Sequence, residues 1–233
     1  MLGQIEFNGI KTYDDFKFII SDIAIADPTP NNILISVPYA NGVYDFSSIF
    51  GDITYSTREI SVTFKLEKFE IFQYRLNALY NIFKDKFYTN SMEELKISWL
   101  EGIFLAKTIE ISSLNLMEEE RMITVKFIAQ PFRTLEKYEG DDIWDTFCFE
   151  TDYVQYNKHE IDGTKEIILY NLSIVKSIPK IVCTAPMTLI YNEKEYSLIS
   201  GENNNIIKMN KGENKLIFKG NGTVEILWKR EVI

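Results

Sequence analysis

The pattern of apolar and polar residues along the chain predicts mostly strands. Its clearest stretch is REISVTFKLEK, where Ile60, Val62, Phe64 and Leu66 alternate with polar residues. Successive side chains of a strand point to opposite faces, so this alternation places the four apolar residues on one face of a sheet. A shorter strand is predicted in GQIEFNG, where an Asn-Gly pair marks the turn that ends it.

One segment has a different period and predicts a helix. In KFEIFQYRLNALYNIFKDKF the apolar residues recur every three or four positions, which indicates an amphipathic helix over about 69–86. We expect this helix to lie on a sheet, because its apolar face needs a surface to cover. Three strands are predicted after it, in ELKISWLEGIFLAKTIEISSLNL and RMITVKFIAQPF, with turns at Glu101-Gly102 and in the acidic MEEER segment and an end at Pro131.

The pattern weakens after about Leu135, in the polar segment EKYEGDDIWD, and this predicts a boundary between domains 1–135 and 136–233. The second domain shows strand signals only, among them EIILYN, PKIVCT, MTLIYNEKEYSLI, NIIKMN, NKLIFKG and TVEILWKREV. Turn residues separate these strands at Asn192-Glu193, Lys211-Gly212 and Gly220-Asn221-Gly222. Short strands with frequent turns favour a β-sandwich, so the predicted fold class is mainly β with one helix in the N-terminal domain.

Composition and charge narrow the possible partners. The chain has 233 residues, enough for two domains that each bury a core. Its 34 acidic and 25 basic residues give a net charge of −9, and no block of Lys or Arg occurs, so we expect nucleic-acid backbones to be repelled. The N-terminal residues do not match a secretory signal, and no apolar run has the length of a membrane span. The sequence therefore predicts synthesis in the cytoplasm and no membrane partner.

Candidate catalytic and metal-binding residues are few. His159 is the only histidine, and we interpret it as a surface residue in the polar turn YNKHEIDG. Cys148 and Cys183 are interpreted as buried thiols, because two distant cysteines make neither a disulfide framework nor a zinc site. Two acidic clusters lack the spacing of a calcium loop and are interpreted as solvated turns: Asp141, Asp142 and Asp145, and Glu118, Glu119 and Glu120.

No nucleotide-binding, zinc-protease or nucleophile-elbow motif occurs. The sequence thus predicts no enzyme, no cofactor, and no catalytic or metal-binding residue; a hydrolase that uses one of the acidic clusters is the weakest hypothesis. An alternative function is a carbohydrate-binding module, since exposed aromatic rings stack on sugars. The residues considered for that role, for which we favour a core or interface position, are Trp99, Trp144, Trp228, Tyr39, Tyr44 and Tyr55.

The segment SVPYANGVYDFSSIFGDITYSTREISVTFKL combines a rigid turn with the clearest strand. Proline fixes φ, and Asn-Gly readily takes positive φ, so a tight corner is predicted in PYANG. With the earlier Phe-Asn-Gly at residues 7–9, this corner resembles the N-terminal half of phage distal tail proteins, the Dit family. The residues that match the family pattern, and that we assign as an assembly corner, are Pro38, Asn41, Gly42, Asp45, Gly51, Tyr55 and Arg58.

The chain departs from this family at one point of the corner. Tyr39 and Ala40 stand where the family usually has Gly-Arg, so a contact made by that arginine is not carried over, although the turn is. The C-terminal half resembles the family's galectin-like β-sandwich in LYNLSIVKSIPKIV and in GENKLIFKGNGTVEILWKREVI.

The resemblance implies a structural virion protein located in the tail tip or baseplate of a phage or phage-like particle. Its expected partners are copies of itself in a homohexameric ring, the tail tube protein, a tail-tip protein, and a receptor-binding protein or host glycan. The N-terminal domains would form the ring, through which DNA passes without specific binding. The charge of −9 per copy adds the hypothesis that an acidic lumen keeps DNA from adhering.

Overall fold

The computed structural model describes residues 3–49, 51–66, 73–113, 121–140 and 153–233. The chain divides into two units, Met1–Arg133 with Ile233, and Thr134–Val232. Strands dominate both units, so the predicted fold class, mainly β with an amphipathic helix in the N-terminal half, is confirmed.

The first unit is one antiparallel sheet covered by a helix. Its elements in chain order are β1 (Ile5–Phe7), β2 (Ile10–Lys11), α1 (Thr12–Phe16), β3 (Phe18–Ile25), β4 (Leu34–Ile35), β5 (Tyr44–Asp45), β6 (Arg58–Leu66), α2 (Gln73–Phe87), β7 (Glu93–Ile97), β8 (Leu100–Ile111) and β9 (Met122–Ala129). The main sheet has the strand order β2-β1-β7-β8-β9-β6-β3.

The alternating pattern of β6 produces the core of this unit. Ile60, Val62, Phe64 and Leu66 are buried, as the sequence predicts for one face of a sheet. Helix α2 covers that face with Phe83, whose ring meets the ring of Phe64 edge-on at 6.1 Å. The predicted helix is therefore confirmed over its described part, and predicted residues 69–72 lie outside the described ranges.

One expectation for the first unit is wrong, and another lies largely outside the described ranges. The turn between β7 and β8 falls at Ser98 and Trp99, three residues before the predicted Glu101-Gly102. Gly102 has a φ of 96° and lies inside β8, where the pairing register with β7 shifts. A glycine in a bulge has the same sequence signature as a glycine in a turn. Residues 117–120 of the predicted acidic turn MEEER lie outside the described ranges.

The second unit is organised around its longest strand. Its elements are β10 (Arg133–Tyr138), β11 (Lys158–Asn171), β12 (Lys180–Cys183), β13 (Met187–Tyr191), β14 (Lys194–Leu198), β15 (Gly201–Asn203), β16 (Gly212–Leu227) and β17 (Lys229–Val232). Strand β16 pairs with β11 over the length of β11, and on its other edge it pairs first with β13 and then with β12. Side chains from these strands form a separate core that includes Leu169, Leu189, Phe218 and Ile226.

The predicted turn at Gly220-Asn221-Gly222 is wrong, because all three residues lie inside β16. A Cβ on Gly220 would lie 2.8 Å from the Cβ of Met187, and one on Gly222 would lie 2.7 Å from Oγ1 of Thr184. These glycines therefore allow a close approach between chain segments and do not reverse the chain.

Three further expectations for this unit have mixed outcomes. The turn at Asn192-Glu193 is confirmed, with φ values of 49° and 62°. The NIIKMN segment is not a strand, and Met209 makes only an isolated bridge with Ser177. The polar segment that follows Leu135 overlaps strand β10 (Arg133–Tyr138), which shows no alternation of buried and exposed residues that the sequence pattern could reveal.

Neither helix in the described parts of the chain combines the length and apolar character that crossing a membrane requires.

Candidate functional site

The strongest candidate site is the connection between β3 and β6, residues 27–57, which we name the arm. Over its described residues, the arm contains two strands, β4 and β5, which pair with each other as a short hairpin. Pro28 is buried, and from residue 29 to residue 57 no described residue is buried. The arm therefore extends from the first unit without a core of its own.

Arg58 fixes the base of the arm. Its side chain is 2% exposed; Nε donates to the carbonyl of Ala26 at 2.6 Å and Nη1 to the carbonyl of Pro131 at 3.3 Å. Nη2 contacts Oδ1 of Asp27 at 3.3 Å, and the guanidinium lies 5.4 Å from the ring centre of Phe104. Burial lowers the pKa of Arg58, and the nearby carboxylate of Asp27 partly opposes that effect. The same side chain thus ties the residues at which the arm leaves the sheet to the end of β9.

Above this base, the two sides of the arm are joined by hydrogen bonds. The N–H of Asn31 donates to the carbonyl of Thr54 at 2.8 Å, and the N–H of Ser56 donates to the carbonyl of Thr29 at 2.9 Å. Tyr55 is half-buried, and its ring meets that of Phe132 edge-on at 5.1 Å. The lower half of the arm is therefore a defined ribbon.

The distal part of the arm is shaped by local hydrogen bonds. Asp45 accepts the N–H of Ser47 at 2.8 Å, and the hydrogen bonds from Ser47 lower the pKa of Asp45. The predicted corner is a turn in which the N–H of Ala40 donates to the carbonyl of Val37 at 3.1 Å. Proline at the first central position and positive φ at the second are typical of a type II turn. Here the second central residue is Tyr39, with a φ of 66°.

Tyr39 departs from what this turn favours. Glycine takes positive φ without steric cost, whereas a side chain with a Cβ is strained there by about 1–2 kcal/mol. Tyr39 also has a relative exposure of 109%, so the strained residue presents its whole ring to solvent. A strained and fully exposed aromatic residue indicates a functional contact rather than a packing role.

The predicted corner residues do not form one cluster. Pro38, Asn41 and Gly42 lie exposed around the tip, and Asp45 and Gly51 lie exposed farther along the returning side. Tyr55 and Arg58, in contrast, lie at the base. The apolar residues that surround these positions were not predicted as part of a site, and their exposed fractions run from 43% upward: Ile33, Leu34, Ile35, Val37, Val43, Tyr44, Ile49 and Ile53.

These apolar residues make the arm unusual as a solvent-exposed segment. Contiguous exposed apolar surface on a soluble protein is typical of an interaction site. Residues 27–57 contain no Lys or Arg, and their ionisable acids are Asp27, Asp45 and Asp52. The apolar runs NILISV and GVY are the sequence feature that indicates this surface, since neither shows the apolar–polar alternation of a half-buried strand.

Of the other candidate catalytic and metal-binding residues, the structure describes His159 and Cys183. His159 lies in strand β11 and not in a turn; it is half-buried, and burial lowers its pKa. Cys183 is buried as predicted, which raises its thiol pKa, while Cys148 lies outside the described ranges. Both acidic clusters also lie outside them. Over the described ranges, no group of three His, Cys, Asp or Glu side chains is placed to hold a metal ion.

The candidate aromatic residues have different surroundings. Trp228 is buried, Trp99 is 55% exposed, and Trp144 lies outside the described ranges. An aromatic pair that was not predicted lies on the second unit, where the rings of Tyr153 and Tyr170 stack with their centres 4.6 Å apart and an angle of 10° between their planes. The hydroxyl of Tyr170 donates to Glu213 at 2.9 Å, and this hydrogen bond raises the pKa of Tyr170.

Comparison with known proteins relates this fold to one class of structures. No family model matches the sequence, and no curated protein matches it. One solved structure, a phage adsorption hub protein, has the same fold as this chain. That structure is the Dit protein of phage SPP1, described as a hub adsorption apparatus of phages that infect Gram-positive bacteria; it matches with a TM-score of 0.68 and 9% identity, over 100% of both chains. The resemblance to Dit proteins is thereby confirmed at the level of the fold.

Two structures of the phage P2 baseplate, in an activated conformation with Ca or Sr, also match. Their TM-scores are 0.45 and 0.44, each at 8% identity. The matches cover 100% and 99% of this chain, and 99% and 98% of theirs. Scores of this size are too low to add to the assignment of the fold.

Proposed function

We propose that the protein is a structural component of a phage or phage-like tail, in which copies of the chain join into a ring through the arm. The ring, with residues 1–135 as its body, connects the tail tube to tail-tip or baseplate proteins. The observation that carries this proposal is an arm that exposes apolar side chains and a strained Tyr39 while its base is rigidly held. Support for the tail setting comes from the fold shared with SPP1 Dit.

The arm surface binds a second copy of this chain. An arm that docks on a different surface of its neighbour makes a heterologous contact, and heterologous contacts close into rings when the rotation between copies permits. An exposed apolar arm is what such a contact needs, because apolar and aromatic side chains are typical of interface centres. The copy number is six, as the family resemblance implies. The tail tube protein and a tail-tip protein then bind the two faces of the ring.

Light scattering coupled to size exclusion tests the ring. We expect the wild-type chain to elute as an assembly of about six copies of 27.2 kDa. The variant Val37→Asp with Tyr39→Asp places two charges on the arm, so it is expected to elute as a monomer. Ile199, 66% exposed on the second unit, provides the matched control, and Ile199→Asp is expected to keep the assembly.

The result that overturns the proposal is a wild-type chain that stays monomeric at high concentration. Circular dichroism of each variant establishes that a monomer is folded. Because the arm has no core, we expect the arm variants to melt within a few degrees of wild type, in line with other surface substitutions of about 0.5 kcal/mol or less.

A second candidate function is glycan binding by the second unit. The stacked Tyr153 is 54% exposed and Tyr156 is 76% exposed, and aromatic faces beside carboxylates suit sugar rings. Titration with a host wall polysaccharide, followed by NMR, tests this function. Binding that Tyr153→Ala abolishes and Tyr39→Ala preserves supports it, whereas no binding by the wild-type chain excludes that polysaccharide as its ligand and favours a spacer role for this unit.

A further inference from the structure

The chain contains three Asn-Gly pairs in different surroundings, Asn8-Gly9, Asn41-Gly42 and Asn221-Gly222. In such a pair the backbone nitrogen of glycine attacks Cγ of asparagine, since no side chain on glycine hinders the approach. A bond between this nitrogen and Cγ forms, the bond between Cγ and Nδ2 breaks, and ammonia leaves with the proton of the attacking nitrogen. Water then opens the cyclic imide to aspartate or isoaspartate. The reaction needs rotation of the backbone and no cofactor.

Two of the three pairs are held in place. Asn221 and Gly222 pair with Asp162 and Ile161 within the long β11–β16 ladder. Oδ1 of Asn221 also accepts the N–H of Gly163 at 2.9 Å, which ties the side chain to the neighbouring strand.

Asn8-Gly9 is held in a different way. It forms the two-residue turn between β1 and β2, with φ values of 51° and 73°. The N–H of Asn8 donates to the carbonyl of Glu94 at 3.0 Å, which fixes the turn to the neighbouring strand. Neither of these two pairs can rotate freely without breaking strand pairing.

Asn41-Gly42 has none of these restraints. Both residues are exposed, and a Cβ on Gly42 would meet no atom within 4 Å. In the described parts of the chain, neither residue makes a hydrogen bond. The nearest restraints are the turn that ends at Ala40 and the β4–β5 pairing that begins at Tyr44.

We propose that Asn41 is a site of spontaneous modification, which converts to aspartate and isoaspartate while Asn8 and Asn221 persist. The folded structure sets this selectivity, since all three pairs have the same local chemistry. Conversion places a negative charge beside Tyr39, and isoaspartate also adds a carbon atom to the backbone at the tip of the arm. This consequence rests on the proposed function, because it makes conversion a modification that weakens ring formation.

Peptide mapping by mass spectrometry of the full chain, taken as its monomer fraction and aged at mildly alkaline pH, tests the proposal. We expect Asn41 to convert at least about tenfold faster than Asn8 or Asn221, the rate ratio that about 1.4 kcal/mol produces. In denaturing urea the three rates are expected to become similar. Equal rates in the folded chain, or a preference for Asn41 that persists in urea, would overturn the proposal. Gly42→Ala is expected to slow conversion at Asn41 alone.

The same mapping on separated monomer and ring fractions examines the link to assembly. If Asn41 converts more slowly in the ring than in the monomer, the tip of the arm lies in a contact between copies, as the proposed function requires. Equal rates in both fractions contradict the contact but leave the modification site intact. The two ideas can therefore fail separately.

Discussion

Arg58 is a charged residue that is almost completely buried, and its contacts explain why that is tolerated. Two of its donors reach backbone carbonyls, of Ala26 and Pro131, while its ionic partner Asp27 has a side chain that is 90% exposed. An ion pair with one exposed member contributes little, whereas a hydrogen bond from a charged group contributes about 1.5–3 kcal/mol. The hydrogen bonds to the carbonyls, rather than the ion pair, should therefore dominate.

Substitutions of Arg58 and of Asp27 are therefore expected to have different effects. Arg58→Met is expected to lower the free energy of unfolding of the first unit by about 2–4 kcal/mol, because two carbonyls lose their donors. Asp27→Asn is expected to cost less than about 1 kcal/mol. Calorimetry of both variants measures the difference. Equal costs would show that the ion pair, and not the carbonyl contacts, holds the base of the arm.

Glu231 gives a prediction about pH at the residue scale. Burial raises its pKa, so the native second unit holds the proton more tightly than the unfolded chain does. Below the unfolded pKa both states are protonated, and above the folded pKa both are ionised and the buried charge destabilises the native state. Stability contributed by this residue therefore falls as pH rises between the two values.

We expect Glu231→Gln to raise the melting temperature of the second unit at neutral pH. The gain should disappear in acid below the ordinary glutamate pKa, where the wild-type carboxyl is neutral too. Calorimetry across that pH range checks this expectation. A gain that is independent of pH would attribute the effect to packing instead of ionisation.

At the scale of elements, glycine has different roles in the second unit that sequence does not separate. Gly220 and Gly222 lie where β16 passes close to residues 184–187, whereas Gly163 has a φ of 73° and open space around its Cβ position. We expect Gly222→Ala to destabilise the second unit by about 2–4 kcal/mol, since both strain and overlap arise. Gly163→Ala should lower the free energy of unfolding by the backbone strain alone, about 1–2 kcal/mol. Urea unfolding of both variants measures this contrast.

The same distinction explains what could be predicted from the sequence. Strand β6 and helix α2 were predictable, because one face of each is buried and the residue period records it. The glycines of β16 were misread as a turn, because close approach depends on a segment more than thirty residues earlier. The surface of the arm was not predictable in full either. A run of apolar residues does not reveal whether another element covers it.

For the whole molecule, charge and apolar contact act in opposite directions on assembly. Each copy carries −9, and the arm adds acidic but no basic residues to the proposed contact. Like charges repel over the screening length, which falls from about 30 Å at about 0.01 M salt to about 10 Å at about 0.1 M. Apolar contacts are not weakened by this screening, so the balance between the two effects depends on ionic strength.

Ring formation is therefore expected to strengthen as salt is added. Light scattering over a salt series should show a dissociation constant that falls several-fold between about 0.01 M and about 0.1 M salt, because repulsion between copies is screened. Asp45→Asn provides a matched control, since it removes one exposed arm charge but keeps the oxygen that accepts the Ser47 N–H. The lowered pKa of Asp45 means that this charge is present at neutral pH, so the variant should depend less on salt. A ring that dissociates when salt is added would show instead that ion pairs between copies hold it together.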